Sequence, residues 1–406
     1  MKKIEGAVTA AKGFEAAGVA AGVKYKDRMD MAMIYSNEPC VAAGAFTQNI
    51  VKAAPVLYDK EIIDSKKKVK AVVVNSGIAN ACTGKEGFAY CEQSAKITKE
   101  ALGFSEEVLV GSTGVIGMQL PMDKIEAGIL ALAKEKKEDV QSSTNAANAI
   151  LTTDTRKKEI AFSFEIQGTE VKMGGMAKGS GMIHPNMCTM LSFVTTDANI
   201  SGDTLQKALS EDVPDTYNMI SVDGDTSTND TVLVLANGLA GNAEICYGTE
   251  EYNQFKNVLH EINVYLAKEI AGDGEGATAL FEVEVKGAKT EEDAKKIAKS
   301  VVCSDLTKTA IAGHDANWGR ILCAMGYSGG VFTPENVNLS FVGCENTVII
   351  MKDGDAVSYS EEEATKILSE NPVKALIELN EGKGCATAWG CDLTHGYIEI
   401  NADYRS

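Results

Sequence analysis

Apolar β-branched runs that alternate with amphipathic segments are the feature that most restricts the folds open to this 406-residue chain. Lys70-Ala71-Val72-Val73-Val74-Asn75-Ser76-Gly77 reads as a buried strand ending in a turn, and Gly87 to Leu102 has helical spacing with its alanines and Ile97 on one face. Together they make half of an α/β layer. Pro121-Met122-Asp123 opens a second helix, which runs to about Lys136. Its proline sits in the first turn, its acidic residue where the helix dipole favours it, and Lys134, Lys136 and Lys137 at the far end. The longest helical pattern is Glu250 to Ala271, where Phe255, Val258, Leu259, Ile262, Tyr265, Leu266 and Ile270 form an apolar stripe that ends in the turn Gly272-Asp273-Gly274-Glu275-Gly276. Ala279 to Val285 alternates as a half-exposed strand, Glu291 to Val301 reads as a helix, and Val348-Ile349-Ile350 and Gly396 to Asn401 read as late strands. No linker and no tandem repeat interrupts the pattern.

Charge narrows the function. A formal net charge of -18 repels phosphate backbones, so nucleic acid and anionic membrane are not expected as partners, although a local basic pocket still admits a small charged metabolite. With 45% hydrophobic residues the chain can bury a substantial core. Its ten cysteines (40, 82, 91, 188, 246, 303, 323, 344, 385 and 391) are scattered, with no CxxC. That scatter, and a start (Met1-Lys2-Lys3-Ile4-Glu5-Gly6) without an apolar signal stretch, lead us to expect reduced thiols in a cytoplasm. No apolar run approaches the roughly 20 residues that span a bilayer.

Chemistry concentrates around Thr189. Gly174-Gly175 and Gly179-Ser180-Gly181 allow positive-φ backbone ahead of it, as a strained bond poised for cleavage would need, although ordinary turns use glycine as well. A threonine becomes a strong nucleophile when its own backbone amine is freed to serve as its base. Attack by the Thr189 hydroxyl on the Cys188 carbonyl would free that amine. Gly111-Ser112-Thr113-Gly114-Val115-Ile116-Gly117 follows the apolar run Val108-Leu109-Val110; it is either an oxyanion-binding turn with outward N–H groups or a plain tight turn. The hydroxyls of Leu151-Thr152-Thr153-Asp154-Thr155 bind a substrate or cap the next element. Asp223, Asp225 and Asp230 do not form a calcium loop, because Val234 stands where the terminal glutamate would be; a polar turn explains them better. The four histidines are too dispersed for a metal site, and none is expected.

The order of several segments resembles the ornithine acetyltransferase family of arginine biosynthesis. They include Gly175-Met176-Ala177-Lys178-Gly179-Ser180-Gly181-Met182-Ile183 before Cys188-Thr189-Met190-Leu191, and Thr195-Thr196-Asp197-Ala198 after it. Others are Lys12-Gly13-Phe14, Val51-Lys52-Ala53-Ala54-Pro55-Val56, Asn75-Ser76-Gly77, Ala79-Asn80-Ala81-Cys82-Thr83-Gly84, Ser221 to Asp230, Gly313 to Arg320 and Asn401 to Ser406. The resemblance implies a layered α/β sandwich of the ornithine acetyltransferase and DmpA-like type, with helices packed around two sheets. It implies autoproteolysis between Cys188 and Thr189, giving an α chain (1–188) and a β chain (189–406) interwoven in one catalytic unit and assembled as an α2β2 heterotetramer. By the same resemblance Thr189 is the nucleophile, Thr113 and Gly114 form the oxyanion hole, and Thr152, Lys178, Thr189, Glu275, Asn401 and Ser406 contact substrate.

The implied reaction is a ping-pong transfer of acetyl from N-acetylornithine to glutamate through an acetyl-threonine ester. No cofactor is implied, and acetyl-CoA stays open as a further substrate. A terminal amine with a pKa of about 7.7 to 8.0 is partly neutral near pH 7, unlike a lysine at about 10.4, so the α-amine of Thr189 is a ready base. Lys178 suits the shared α-carboxylate and Glu275 the ammonium tail of ornithine. Three positions depart from the family pattern: Cys188 for the usual alanine, His184 for a small residue and Ile78 for an asparagine. Cys188 is a rival nucleophile by its thiol, but the register places Thr189 at the cut. The alternative reading is an N-terminal-nucleophile aminopeptidase or amidase, in which water resolves the acyl-enzyme.

Overall fold

A computed structural model of the chain describes residues 1–184 and 190–402. The chain forms two compact units. The first comprises Met1–Gly179, Pro185–Asn218 and Thr226–Leu266; the second comprises Ser180–His184, Met219–Asp225 and Ala267–Ser406.

The strands of the first unit are β1 (Lys2–Ile4), β2 (Phe14–Val19), β3 (Met31–Phe46), β4 (Val69–Asn75), β5 (Glu107–Ser112), β6 (Lys158–Ile166), β7 (Thr169–Lys178), β8 (Leu191–Thr196) and β9 (Thr231–Ala236). They run in the order β1-β6-β7-β8-β9-β3-β4-β5, with β2 also on β3. The sixteen-residue β3 is the pivot. Its first half pairs with β2 and β4, its second half (Val41–Phe46) with β9, and the register shifts between Tyr35 and Cys40. Helices α1 (Ala54–Asp64), α2 (Gly84–Leu102), α3 (Met122–Glu135), α4 (Val140–Ala149) and α5 (Gly202–Asp212) belong to the same unit. The expected half-layer is present: β4 is buried except at Lys70, α2 follows, and β5 returns parallel to β4, as a crossover helix permits. Pro121 caps α3 rather than opening it.

The candidate cut point lies in the connection between two neighbouring strands. β7 and β8 are antiparallel with Lys178 opposite Leu191, and residues 179–190 join them. The glycines there work differently from the expectation. Gly174, Gly175 and Gly181 have no positive φ; the left-handed residue is Met182, at φ 57°. Gly174 is small because a Cβ would lie 1.9 Å from the Ala7 carbonyl oxygen. Close packing, not conformational freedom, therefore explains that glycine.

Helix α6 (Glu250–Gly272) buries Phe255, Val258, Leu259, Ile262, Leu266 and Ile270, as its stripe predicts. The second unit holds the sheet β13-β12-β11-β14-β10-β15, built from β10 (Leu280–Ala288), β11 (Asn338–Val342), β12 (Thr347–Lys352), β13 (Asp355–Ala356), β14 (Val373–Glu378) and β15 (Gly384–Cys391). Its helices are α7 (Glu291–Cys303), α8 (Asp305–Ala312), α9 (Trp318–Gly326), α10 (Glu361–Leu368) and α11 (His395–Ala402). Thr290 caps α7 by accepting from the Asp293 N–H, and the helix lays Ala294, Ile297, Ala298, Val301 and Val302 on β10 and β15.

One expected strand is corrected. Gly396 to Asn401 is helical, within α11. Its alternation has no burial behind it, since Ile398 is 66% exposed, and the amide of Asn401 bonds the carbonyl of Tyr397 one turn back. Strand periodicity is a signal of burial, and a short exposed segment carries none. The nine described cysteines are free thiols. No described helix is long and apolar enough to cross a membrane.

Candidate active site

In the first unit β5 delivers Ser112 and the turn Thr113-Gly114. The side chain of Asn75, at the end of the parallel neighbour β4, ties that turn: its Oδ1 accepts from the Ser112 hydroxyl at 2.7 Å and its Nδ2 donates to the Ile78 carbonyl at 2.8 Å. The Thr113 N–H donates to the Asn75 carbonyl at 3.0 Å, and the Val115 N–H to that of Gly77 at 3.1 Å. Gly114 sits between them at φ 128°, and a Cβ there would lie 2.2 Å from the carbonyl carbon of Gly77. Only glycine fits. Among the described residues the Gly114 N–H has no hydrogen-bond acceptor, which leaves it free for a developing negative oxygen.

Lys178, the last residue of β7, is 7% exposed. Its ammonium donates to Thr152 Oγ1 at 3.0 Å and to Thr113 Oγ1 at 3.3 Å. Three residues singled out in the sequence, on three separate elements, thus meet at one nitrogen. Asp154 lies beneath, its Oδ2 3.9 Å from the Lys178 ammonium and its Oδ1 2.7 Å from that of Lys158. The same carboxylate accepts from the N–H groups of Gly179 at 2.7 Å and Thr152 at 3.1 Å. Burial alone would raise the Asp154 carboxyl, but the charges of Lys178 and Lys158 and these hydrogen bonds outweigh it and hold it well below the usual carboxylate range. Arg28, stacked on Tyr25 at 4.3 Å, donates to the carbonyls of Leu151 at 2.6 Å and Thr152 at 3.3 Å, fixing the far side of the loop.

Glu275 and Asn401 meet in the second unit. Glu275 is 7% exposed, its N–H donates to the Ser180 carbonyl at 3.0 Å, and its Oε2 accepts from Asn401 Nδ2 at 2.7 Å. A Cβ on Gly181 would lie 2.4 Å from the Glu275 carboxyl, so glycine at 181 keeps that carboxylate in place. The Ser180 hydroxyl donates to the Asp273 carbonyl at 2.7 Å. Cys188, Thr189 and Ser406 lie outside the described residues.

The polar turn expected at Ser221 to Asp230 is present, and Asp223 has a definite task in it. Its two oxygens accept from the N–H groups of Met182 at 2.6 Å and Ile183 at 2.8 Å. Among the described residues no group of three potential ligands could hold a metal ion. In the sequence Asp154 stands only as part of a hydroxyl-rich run, and no motif marks Lys158 or Arg28. The four-residue spacing of Asp154 and Lys158 was the available signal, but spacing does not reveal burial.

These features define a two-sheet α/β protein with a lysine-centred polar site at the ends of parallel and antiparallel strands. The chain belongs to the ArgJ family, whose model matches residues 15–406. It is 50% identical to "Arginine biosynthesis bifunctional protein ArgJ" of Thermotoga neapolitana, over 97% of this chain and 99% of that protein. It is 51% identical to "Arginine biosynthesis bifunctional protein ArgJ 1" of Clostridium acetobutylicum, over 97% and 96%. The solved structure of "Arginine biosynthesis bifunctional protein argJ" from Bacillus halodurans superimposes with a TM-score of 0.50 and 49% identity, covering 53% of this chain and 99% of that chain.

Proposed function

We propose that the protein is an acetyltransferase of arginine biosynthesis that splits itself before Thr189 and carries acetyl from N-acetylornithine to glutamate. The observation that carries the reading is the Lys178 ammonium with the hydroxyls of Thr113 and Thr152 gathered around it, on a chain of the ArgJ family. In the splitting step Thr189 Oγ adds to the Cys188 carbonyl, the Cys188–Thr189 C–N bond breaks, and the nitrogen takes up the hydroxyl proton. Water then hydrolyses the ester, leaving a carboxylate on Cys188 and a free hydroxyl and amine on Thr189. The solved ArgJ chain is matched to 99% of its length by 53% of this one, which supports a working chain of about the extent of 189–406.

In transfer, the Thr189 α-amine takes the hydroxyl proton as the oxygen attacks the acetyl carbonyl, and the Gly114 N–H and Thr113 receive the negative charge that develops. Ornithine departs with that proton on its amine. The amine of glutamate then attacks the acetyl-threonine ester, so the two half-reactions share one site in ping-pong order. Lys178 pairs with the α-carboxylate common to both substrates, in surroundings dry enough for a charge pair to count. Glu275, held by Asn401, takes the ammonium tail of ornithine, and Thr152 and Ser406 complete the substrate contacts. The two chains work as an α2β2 assembly.

The word bifunctional in the relatives' names favours a second activity, synthesis of N-acetylglutamate from acetyl-CoA. Intact mass tests the first step: two fragments divided before Thr189 are expected, and a stable whole chain would overturn the reading. Product analysis with N-acetylornithine and glutamate should give N-acetylglutamate and ornithine. Acetate as the main product would instead make the protein an amidase. Acetyl-CoA with glutamate alone tests the second activity.

A further inference from the structure

We propose that Asp223 is a positioning residue for self-splitting: its carboxylate clamps the backbone that leads into the Cys188–Thr189 bond. The inference rests on the reading that the chain splits there. Met182 is in the left-handed region, φ 57°, which turns its N–H and that of Ile183 to the same side. Successive N–H groups so arranged make a concavity for an anion. Asp223 fills it, with Oδ2 2.6 Å from the Met182 nitrogen and Oδ1 2.8 Å from that of Ile183. A non-glycine residue keeps such a conformation only where its surroundings over-determine it, and the carboxylate does so here.

Ile183 and His184 have further partners. The Ile183 carbonyl accepts from the Val222 N–H at 2.6 Å, so Ile183 is bound through both its backbone groups to the Ser221–Asp223 run. His184 Nδ1 lies 3.1 Å from the Ser221 hydroxyl and 3.4 Å from the Cys303 sulfur. Asp223 also accepts from the Asp225 N–H at 3.2 Å and the Tyr397 hydroxyl at 3.4 Å, which orient the carboxylate itself. Thr189 stands five positions beyond His184, a reach of at most ~18 Å at about 3.6 Å per residue. On the far side the Met190 carbonyl accepts from the Thr231 N–H at 2.9 Å. An intramolecular attack succeeds when the hydroxyl and carbonyl are held in near-attack geometry, so the anchors of a short tether set its rate. Asp223 is the side-chain anchor that holds two successive backbone N–H groups, and mutation can remove it.

The test compares the full-length wild type with Asp223→Asn and Asp223→Glu, following by intact mass the appearance of the fragment that begins at Thr189. The asparagine must turn its amide NH2 toward one of the two backbone N–H groups, losing that bond. We expect Asp223→Asn to split about tenfold more slowly or worse, with unchanged melting temperature, and Asp223→Glu to recover part of the rate. Once split, Asp223→Asn should match the wild type in kcat and KM. Splitting of Asp223→Asn at the wild-type rate would overturn the clamp, as would slow splitting that only tracks lost folded protein and is not relieved in Asp223→Glu. A wild-type chain that stays whole would instead remove the reading on which the clamp rests.

Discussion

Lys178 donates to the Thr152 hydroxyl over 3.0 Å, although the two residues lie 26 positions apart and the lysine is almost out of water. Its ammonium also reaches Thr113, so one cation organises both hydroxyls. Lys178→Met should lower kcat/KM for N-acetylornithine by about 10² to 10³, the range for loss of a preorganised electrostatic contact. Lys178→Arg should not restore it, because a planar guanidinium does not reproduce the compact ammonium's bonds to two hydroxyls. Steady-state kinetics check both, and an arginine variant of near wild-type activity would remove the role given to the compact ammonium.

Gly114→Ala should be among the most damaging single-methyl changes in the chain. Non-glycine residues at such a φ cost about 1–3 kcal/mol, and the added Cβ meets backbone rather than a flexible side chain. Turning the Gly114 N–H away should cost about 10²-fold or more in kcat in whatever protein folds. Melting temperature and kcat measured together separate the two effects.

Glu275→Gln and Gly181→Ala should share one kinetic signature. The first removes the carboxylate charge, and the second drives a methyl into it at 2.4 Å. Both should raise KM for N-acetylornithine far more than KM for glutamate. Equal losses on the two substrates would take the ammonium tail away from Glu275.

The buried Asp154–Lys158 pair, both side chains fully shielded, predicts a stability effect. Lys158→Met removes the nearer of the two lysine charges on Asp154, and breaking such a pair costs about 3–5 kcal/mol. Denaturant midpoints check the size. In the wild type the depressed Asp154 carboxyl contributes stability that is present above the ordinary carboxylate range and is lost as pH falls through its folded value.

Asp59 should show the opposite sign. Burial raises its carboxyl well above the usual range, the Val110 N–H opposes this only in part, and its second oxygen has no hydrogen-bond partner among the described residues. The folded state therefore holds the proton more tightly, and this group's stability contribution, complete below about pH 4, is lost as pH rises. Asp59→Asn should flatten that loss, so its urea midpoint gains on the wild type between pH 5 and pH 8. A constant difference would mean that Asp59 does not titrate in this window.

Much of this was legible residue by residue. The apolar run at Val72-Val73-Val74, the stripe along Glu250 to Ala271 and the turn at Thr113-Gly114 stand where their patterns placed them, because burial and turn geometry leave a mark on local composition. Gly396 to Asn401 failed for the same reason, since an exposed six-residue segment has no burial to report. The glycines before the candidate cut suggest conformational freedom or ordinary turns when seen in sequence alone. Gly174 and Gly181 turned out to be spaces left for the Ala7 carbonyl and the Glu275 carboxylate, and a sequence does not say what comes near a glycine.

By itself, then, the sequence determined the α/β alternation and the family register. Tertiary structure alone decided that Lys178, Thr113 and Thr152 converge on one ammonium above Asp154, and that Asp223 holds Met182 and Ile183. Periodicity and motifs record short-range constraint along the chain. A hydrogen bond between residues 65 positions apart, like that from Lys178 to Thr113, exists only once strand register has brought them together.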